Sequence, residues 1–272
     1  MEIDETIERA TWDLFWVPPG VLRVDRPEIL YLSSARPTPT LNVVPRIRPE
    51  DEGHAAALVR EVAAAHAGGP SRYQITQRSC AGLLRPELES AGYALAHEHD
   101  AMAVPIERFT PRPAANVEVR RVTDLARLKD NVAVSEAAFE IAAAFLDTEL
   151  MRQLRECTAP GCRVHRFVAY DTTTGAPVSA GNFNAFPELG LAFFWGGGTL
   201  ATARGRGAYS ALVAARVAHA RAHGLRTAGL YARLRTSAPI VQAQGFQRYG
   251  RMEFWDRECD TSAPCTTGTP PA

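Results

Sequence analysis

The sequence has no surplus of charge, since its 30 Lys and Arg side chains balance its 30 Asp and Glu side chains. A chain without net charge is not drawn as a whole to nucleic acid or to an anionic membrane, so we predict neither as a partner and expect any anion site to be local. It also lacks an apolar run of the ~20 residues that a bilayer span needs, and the segment Met1–Glu5 is acidic where a secretory signal is basic. We therefore predict a cytoplasmic protein.

Cysteine is scarce as well, and the five cysteines are odd in number, widely spread and without a C-x-x-C pair. This pattern excludes a disulfide framework. Among the seven histidines, His97 and His99 are the pair whose spacing puts both rings on one face of a predicted strand. Two ligands without a third are more typical of a polar strand face, so we predict no metal site.

The length of 272 residues is typical of two domains, and proline-rich segments mark where the chain divides. Extended linkers are predicted at Pro37–Pro39 and at Thr110–Pro113. The second gives a boundary between a domain at 1–110 and a domain at 111–260. Residues 261–272 combine Ser, Thr, Gly and Pro without apolar periodicity, which predicts a disordered tail.

From Val117 onward, hydrophobic periodicity and turn residues predict the order β, α, α, β, β, β, α, β, α, β. The predicted strands are 117–122, 163–171, 177–186, 190–198, 227–233 and 246–255. The predicted helices are 124–139, about 142–155, one that starts at Arg204, and one opened by Thr236 or Ser237 and stopped at Gly245. The fold class is α/β (α+β), with a mixed, mostly antiparallel sheet flanked by helices.

The N-terminal region repeats this pattern. The segment "AALVREVAAAHAGG" from Ala56 parallels "SALVAARVAHARAHG" from Ser210, "RYQITQ" parallels the strand around Leu230, and "LLRPELESAGY" parallels "APIVQAQGF". Self-similarity at this scale indicates duplication of a structural unit, so we predict two tandem copies of one fold.

The turn Arg204-Gly205-Arg206-Gly207 stands directly before an alanine-rich helix. A helix start exposes unpaired N–H groups and the positive end of the helix dipole. Glycines let the backbone approach a ligand closely, and arginines add charge. The turn is therefore predicted to hold a pyrophosphate, although "RGRG" is also compatible with a flexible basic loop.

The segment from Thr199 to Tyr209, followed by the helix and by "SAPIVQAQGF", resembles the acetyl-CoA-binding motif of the GNAT superfamily of N-acyltransferases. The similarity covers the element order from Val117 to about Asp256. It implies that the strand before the motif splays from the next strand and that the pantetheine chain lies between them. The implied cofactor-binding residues are Thr199, Leu200 and Ala201 for pantetheine, Arg204, Gly205, Arg206, Gly207, Ala208 and Tyr209 for the diphosphate, and Ser237.

Three positions depart from the family pattern. Tyr209 stands where the motif ends in Gly or Ala, so its ring must cover the phosphates or point away. Val241 occupies the place where many GNAT enzymes carry the tyrosine that protonates the departing thiolate. In the N-terminal copy the segment Glu50–Glu52 aligns with the arginine turn, and three carboxylates would repel a pyrophosphate. We interpret that copy as a degenerate GNAT-like domain.

Acyl transfer to an amine needs a base for the nucleophile, stabilisation of the oxyanion and a proton for the thiolate. The candidate catalytic residues are Glu188, in the turn before the aromatic strand, and Tyr231, on the strand after the motif helix. Either can instead be structural, Glu188 as a solvated charge and Tyr231 as a core ring. Strand alternation sends Phe193 and Trp195 to one face and Phe194 to the other, so one face can line an acceptor pocket.

These observations predict an N-acyltransferase that transfers acetyl from acetyl-CoA to the primary amine of a small molecule, without a metal. The chain is compatible with a homodimer. The alternative is a non-catalytic acyl-CoA-binding or sensing protein, favoured by Val241 at the tyrosine position. A dinucleotide enzyme fits less well because the turn is not a G-x-G-x-x-G motif in a βαβ unit.

Overall fold

The computed structural model describes residues 2–12, 17, 20–35, 38, 41–112, 114–141 and 145–258. The predicted tail at 261–272 and most of the predicted linker at Pro37–Pro39 lie outside these residues. Contacts divide the chain into two compact units. The C-terminal unit comprises Met1–Ala10 and Asp100–Tyr249, and the N-terminal unit comprises Thr11–His99 and Gly250–Ala272. Because this division follows contacts and not chain order, the predicted ranges 1–110 and 111–260 stay predictions.

The described residues form seven helices and eleven strands. The helices are α1 Ile3–Ala10, α2 Glu52–Ala65, α3 Ala81–Ser90, α4 Leu125–Phe139, α5 Asp147–Thr158, α6 Ala208–Ala222 and α7 Ser237–Gln242. The strands are β1 Val21–Arg26, β2 Ile29–Ser34, β3 Val43–Ile47, β4 Ser71–Thr76, β5 Ala94–Pro105, β6 Val117–Arg121, β7 Val164–Asp171, β8 Pro177–Phe186, β9 Leu191–Thr199, β10 Thr227–Arg233 and β11 Gln247–Arg257. None of the described helices combines the length and the apolar character that crossing a bilayer requires.

In the N-terminal unit the strand order is β1-β2-β3-β4-β11. Neighbouring strands are antiparallel except for β3 and β4, which run parallel and are joined through α2. Apolar residues recur at helical spacing along α2 and α3, so they line one face of each helix. These faces pack against the sheet. Among them Val62, Leu84 and Leu88 are completely buried.

In the C-terminal unit the strand order is β5-β10-β9-β8-β7-β6. The pairs from β6 to β9 are antiparallel, whereas β9 and β10 are parallel and joined through α6. Alternation along β7 places Phe167 in the core under α6 and Val168 in a second core under α4 and α5. The predicted mixed, mostly antiparallel sheet flanked by helices is confirmed.

The predicted strands of the second half and its first helix lie within one or two residues of the observed ones. The helix predicted from Arg204 begins instead at Ala208, because Gly205 and Gly207 have positive φ and cannot belong to a right-handed helix. The second helix is α5, which begins at Asp147, and its predicted start near residue 142 lies outside the described residues. Leu146 has extended backbone, and Asp147 and Glu149 then occupy the first turn, where acidic side chains favour a helix start. The sequence reading also missed α1, whose eight residues bury Ile7 and Ala10.

The repeat is visible in the fold, because α2, β4 and α3 correspond to α6, β10 and α7 in order and in pairing. The two equivalent helices nevertheless begin differently. At the start of α2 the Asp51 carboxylate accepts a hydrogen bond from the His54 N–H at 2.8 Å. This cap occupies one of the donors that the first turn of a helix leaves unpaired.

We expect Asp51→Ala to lower the free energy of unfolding by about 1 kcal/mol, because the His54 N–H loses its acceptor. Thermal unfolding followed by circular dichroism measures the change. Glu50→Ala is the control, since its exposed side chain belongs to the same acidic segment but does not cap the helix. Equal midpoints for the two variants would contradict the capping role.

Candidate functional site

The parallel pair of β9 and β10 separates partway along its length. Paired residues run from Leu191 opposite Thr227 to Phe194 opposite Leu230. Beyond this point β9 continues to Thr199 and β10 to Arg233, and no further pair joins the described residues of the two strands. The two strands therefore splay, as the sequence resemblance implied, and leave an edge of β9 open to a ligand.

A β-bulge lies at the start of this open edge. Asn182 is opposite Trp195 and Ala180 is opposite Gly198, so β9 has one more residue than β8 in this stretch. Gly196 accommodates it with φ +59°, in the left-handed region that favours glycine. A bulge of this kind bends the strand and re-aims its groups, which accounts for the splay beyond it.

The two glycines that follow let helices approach β9 from the two faces of the sheet. A Cβ atom on Gly197 would lie 2.8 Å from the Tyr209 ring, and one on Gly198 would lie 2.8 Å from the Cβ of Ala138 in α4. Tyr209 therefore packs back onto the sheet and does not occupy the space in front of the turn. This resolves the first departure from the family pattern.

The start of α6 is an anion-binding arrangement of backbone groups. Gly205 and Gly207 have φ +77° and +81°, and Gly207 is the residue that precedes the first helical turn. The first bond at this end joins the Ala211 N–H to the Gly207 carbonyl, so the N–H groups of residues 208–210 have no acceptor within the helix. Among the described residues, no side chain caps this end. A Cβ on Gly205 would meet no atom within 4 Å, so the turn has room for a bulky anion such as a diphosphate.

The two arginines of the turn have different surroundings. Arg204 is exposed and its Nε lies 3.4 Å from the Thr199 carbonyl oxygen. Arg206 donates to the Asp171 carboxylate at 2.6 Å, and its side chain is 54% exposed whereas that of Asp171 is 7% exposed. The Thr173 backbone N–H and then Arg206 lower the pKa of Asp171. Arg206 thus ties the turn to the end of β7, whereas Arg204 is exposed and donates to the end of β9 through its Nε.

The remaining predicted cofactor residues divide between ligand-facing and structural roles. The Leu200 N–H donates to the Val178 carbonyl at 3.0 Å, so it is committed to β8. Successive N–H groups of a strand point to opposite edges, so the N–H of Thr199 points away from β8 and toward the open edge of β9. The Thr199 hydroxyl forms a hydrogen bond with the Ser179 hydroxyl. Ala201 lies in a short 3₁₀ turn, and the Ser237 hydroxyl accepts from the Arg233 N–H at 2.8 Å, which closes the turn into α7.

The two predicted catalytic residues are not brought to the turn. Glu188 lies in the loop before β9, at the far end of that strand from Thr199, and pairs with Arg163 at 2.9 Å. Tyr231 is the first β10 residue beyond the paired stretch, and its ring contacts Phe193 and α1. Burial, with Glu8 and Asp4 nearby, raises the pKa of Tyr231, so its hydroxyl stays protonated.

The aromatic residues of β9 alternate as predicted. Phe194 is buried in the core under α6, and Phe193 and Trp195 lie on the other face. The Trp195 indole N–H donates to Asn184 at 2.8 Å, and the Arg166 guanidinium lies 5.4 Å from its ring centroid. This face of β9 is therefore both aromatic and polar.

A buried arginine lies beneath the bulge. Arg216 of α6 is 1% exposed, donates to the Asn182 carbonyl at 3.1 Å, and lies 4.4 Å from the Phe194 ring centroid. Its second terminal nitrogen, Nη2, is buried without a hydrogen-bond partner. Burial lowers the pKa of Arg216, and Tyr209 opposes this shift. The sequence carried a signal for it, because Arg216 interrupts the apolar stripe that includes Leu212, Val213 and Val217.

A histidine cluster, which the sequence reading also missed, lies further along α6. His165 of β7, His219 of α6 and His223, which directly follows α6, have ring nitrogens within 4.8 Å of one another. Burial, then His219 and Arg121, lower the pKa of His165 to about 3. Burial, then His223 and Arg121, lower the pKa of His219 to about 4. Both rings are therefore neutral at physiological pH.

Comparison with solved structures identifies this fold. A GCN5-related N-acetyltransferase from Kribbella flavida superposes with a TM-score of 0.65 at 16% sequence identity, and the match covers 94% of each chain. A GCN5-related N-acetyltransferase from Sphaerobacter thermophilus superposes with a TM-score of 0.63 at 17% identity, over 85% of this chain and 81% of that one.

A tandem GNAT protein from the clavulanic acid biosynthesis pathway, solved without AcCoA, matches 94% of this chain and 89% of its own, with a TM-score of 0.59 and 17% identity. No protein-family model matches the chain, and no curated protein sequence matches it. The fold is that of the GCN5-related N-acetyltransferases, in a tandem arrangement.

The burial of Val241 decides whether a tyrosine could be accommodated at this position. Val241 is completely buried in the core under α6, so a tyrosine there would overpack that core. We expect Val241→Tyr to lower the free energy of unfolding by about 1 to 3 kcal/mol.

Ile240→Tyr is the matched control, because the neighbouring Ile240 is 38% exposed. Urea unfolding of both variants measures the difference. A Val241→Tyr protein as stable as the control would show that the position is open and able to carry the family's tyrosine.

Proposed function

We propose that this protein is an acyl-CoA-dependent N-acyltransferase of the cytoplasm that transfers acetyl from acetyl-CoA to the primary amine of a small molecule. The observation that carries the proposal is the uncapped start of α6, with two left-handed glycines, at the end of two splayed strands. The similarity in fold to GCN5-related N-acetyltransferases supports the same activity.

In this proposal the backbone N–H groups at the start of α6 bind the diphosphate of CoA, and Arg204 adds a charge-assisted contact. Arg206 holds the turn against Asp171 so that these donors keep their orientation. The N–H of Thr199 on the open edge of β9 binds the pantetheine chain. The bound thioester supplies an activated acyl group.

Charge stabilisation in this proposal comes from Arg216 and Tyr209. The guanidinium has an unpartnered Nη2 beneath the bulge, and the Tyr209 ring covers Gly197 beside it. A buried cation favours negative charge on a neighbouring sulfur or oxygen because the surroundings screen it weakly. The Tyr209 hydroxyl lies near this cation and takes the place of the tyrosine that is missing at Val241.

The N-terminal copy does not bind CoA in this proposal. Its equivalent helix α2 is capped by Asp51, and Glu50 and Glu52 add negative charge at the same end. An anion would have to displace the cap and approach three carboxylates. This copy is retained as a structural unit.

A non-catalytic acyl-CoA-binding or sensing protein is the second candidate. It is favoured by the buried Val241 and by the distance of Glu188 from the turn, since the usual acid and the predicted base are then both missing. The same CoA site serves either function, so turnover separates them.

We expect Arg204→Ala to weaken CoA binding by about 1 to 3 kcal/mol, measured by isothermal titration calorimetry, because a charge-assisted contact is lost. Arg60→Ala is the control, since Arg60 is an exposed arginine on α2, the equivalent helix of the other copy. Unchanged affinity in Arg204→Ala, or equal loss in Arg60→Ala, would refute the assignment of the diphosphate to this turn.

We expect Tyr209→Phe and Arg216→Met to lower kcat on the order of 10²-fold, with CoA affinity within a few-fold of the original. Release of free thiol from acetyl-CoA with a panel of small amines is the measurement. Tight CoA binding without turnover on any amine would favour the sensing protein. Unaltered kcat in both variants would remove this pair from the chemistry.

A further inference from the structure

The histidine cluster of β7 and α6 stands apart from the CoA site. His219 lies in the last turn of α6, and His223 directly follows the helix four residues later, a spacing that makes side chains neighbours at a helix end. His165 reaches the same place from β7. The helix rises about 18 Å between Gly207 and His219, so the cluster lies at the end of α6 opposite the glycine-arginine turn.

The distances within the cluster match those of ligands on one metal ion. Nδ1 of His165 lies 3.2 Å from Nε2 of His219. Two nitrogens bound tetrahedrally to one Zn²⁺ at about 2.05 Å are about 3.3 Å apart. The third ring is close enough to join them, because its ring centroid is 4.2 Å from that of His219 and 5.1 Å from that of His165.

Burial within the cluster is graded from the core to the surface. His165 is 1% exposed, His219 is partly buried and His223 is exposed, so an ion has a path to the innermost ring. The Nδ1 of His165 faces His219, whereas its Nε2 is buried without a hydrogen-bond partner. Phe183 stacks on His165 with ring centroids 4.6 Å apart and holds its plane.

The positive charge of Arg121 opposes the binding of a cation at the histidine cluster. Arg121 lies in β6, near enough to lower the pKa of both inner histidines. Its guanidinium donates to the Cys157 carbonyl at 2.9 Å, so it is held toward the end of α5. The same lowered pKa values keep His165 and His219 neutral, which is the form of imidazole that binds a metal ion.

We propose that His165, His219 and His223 form a binding site for a divalent transition-metal ion of the zinc class, with the fourth position open to water. The ion would fasten the end of α6 to β7. Its distance from the turn gives it a role in stability and not in acyl transfer. This goes beyond the sequence prediction, which considered the pair His97 and His99 and expected no metal.

The test uses the full chain, prepared without a histidine tag and stripped with a chelator. Co²⁺ is added as a spectroscopic probe, and Zn²⁺ is titrated against a chromophoric chelator. We expect one equivalent of each ion, with the visible absorption of tetrahedral Co²⁺. Excess Zn²⁺ should raise the unfolding midpoint by about 5 °C or more.

His219→Ala and His223→Ala should weaken Zn²⁺ binding on the order of 100-fold. His97→Ala, which removes an exposed histidine of β5, should leave it unchanged. His223 is exposed, so its removal keeps the test valid if His219→Ala disturbs the fold, which circular dichroism in chelator reports. Less than stoichiometric binding to the original chain, or equal loss in His97→Ala, would show that the rings form only a hydrogen-bonded cluster.

Discussion

The unpaired backbone donors at the start of α6 are the constraint on which the rest of the site depends. A helix of 15 residues carries a positive dipole end, and a side-chain cap, water or a ligand must satisfy its unpaired N–H groups. Here two left-handed glycines replace the usual side-chain cap. The bulge in β9, the glycines that admit Tyr209 and α4, and the ion pair between Arg206 and Asp171 all hold this open end beside the splayed strands.

The two copies of the duplicated architecture differ at the start of one helix. Both copies place a helix between two parallel strands, and both align an apolar helix face with the sheet. In one copy the Asp51 carboxylate caps the start of α2, and in the other no side chain of the described residues caps the start of α6. A few residues of one turn thus decide whether the N–H groups at the helix start are capped or open.

The turn and the order of helices and strands along the chain could be predicted from the sequence because both depend on local residue types. Glycine before a helix, arginine beside it and alternating apolar residues act within a few positions of one another. The start of α5 was misplaced because the alanine-rich segment after Phe139 suits a helix, whereas the extended backbone of Leu146 interrupts it.

The features that the sequence could not predict depend on contacts between distant segments. Tyr209 faces Gly197, Arg216 reaches the Asn182 carbonyl, and His165 meets His219 only once the register of β7, β8 and β9 against α6 is known. Spacing within one element does not contain that register. Glu188 is a related case, because it was chosen for its position directly before the aromatic strand β9 in the sequence. In the fold it lies at the start of β9, and the glycine-arginine turn follows the other end of that strand.

A structure of the protein with CoA bound tests the central claim most directly. The account predicts that the diphosphate oxygens accept hydrogen bonds from the backbone N–H groups at the start of α6, beside Gly205 and Gly207. A diphosphate bound elsewhere on the protein, or at the start of α2 beside Asp51, would contradict it.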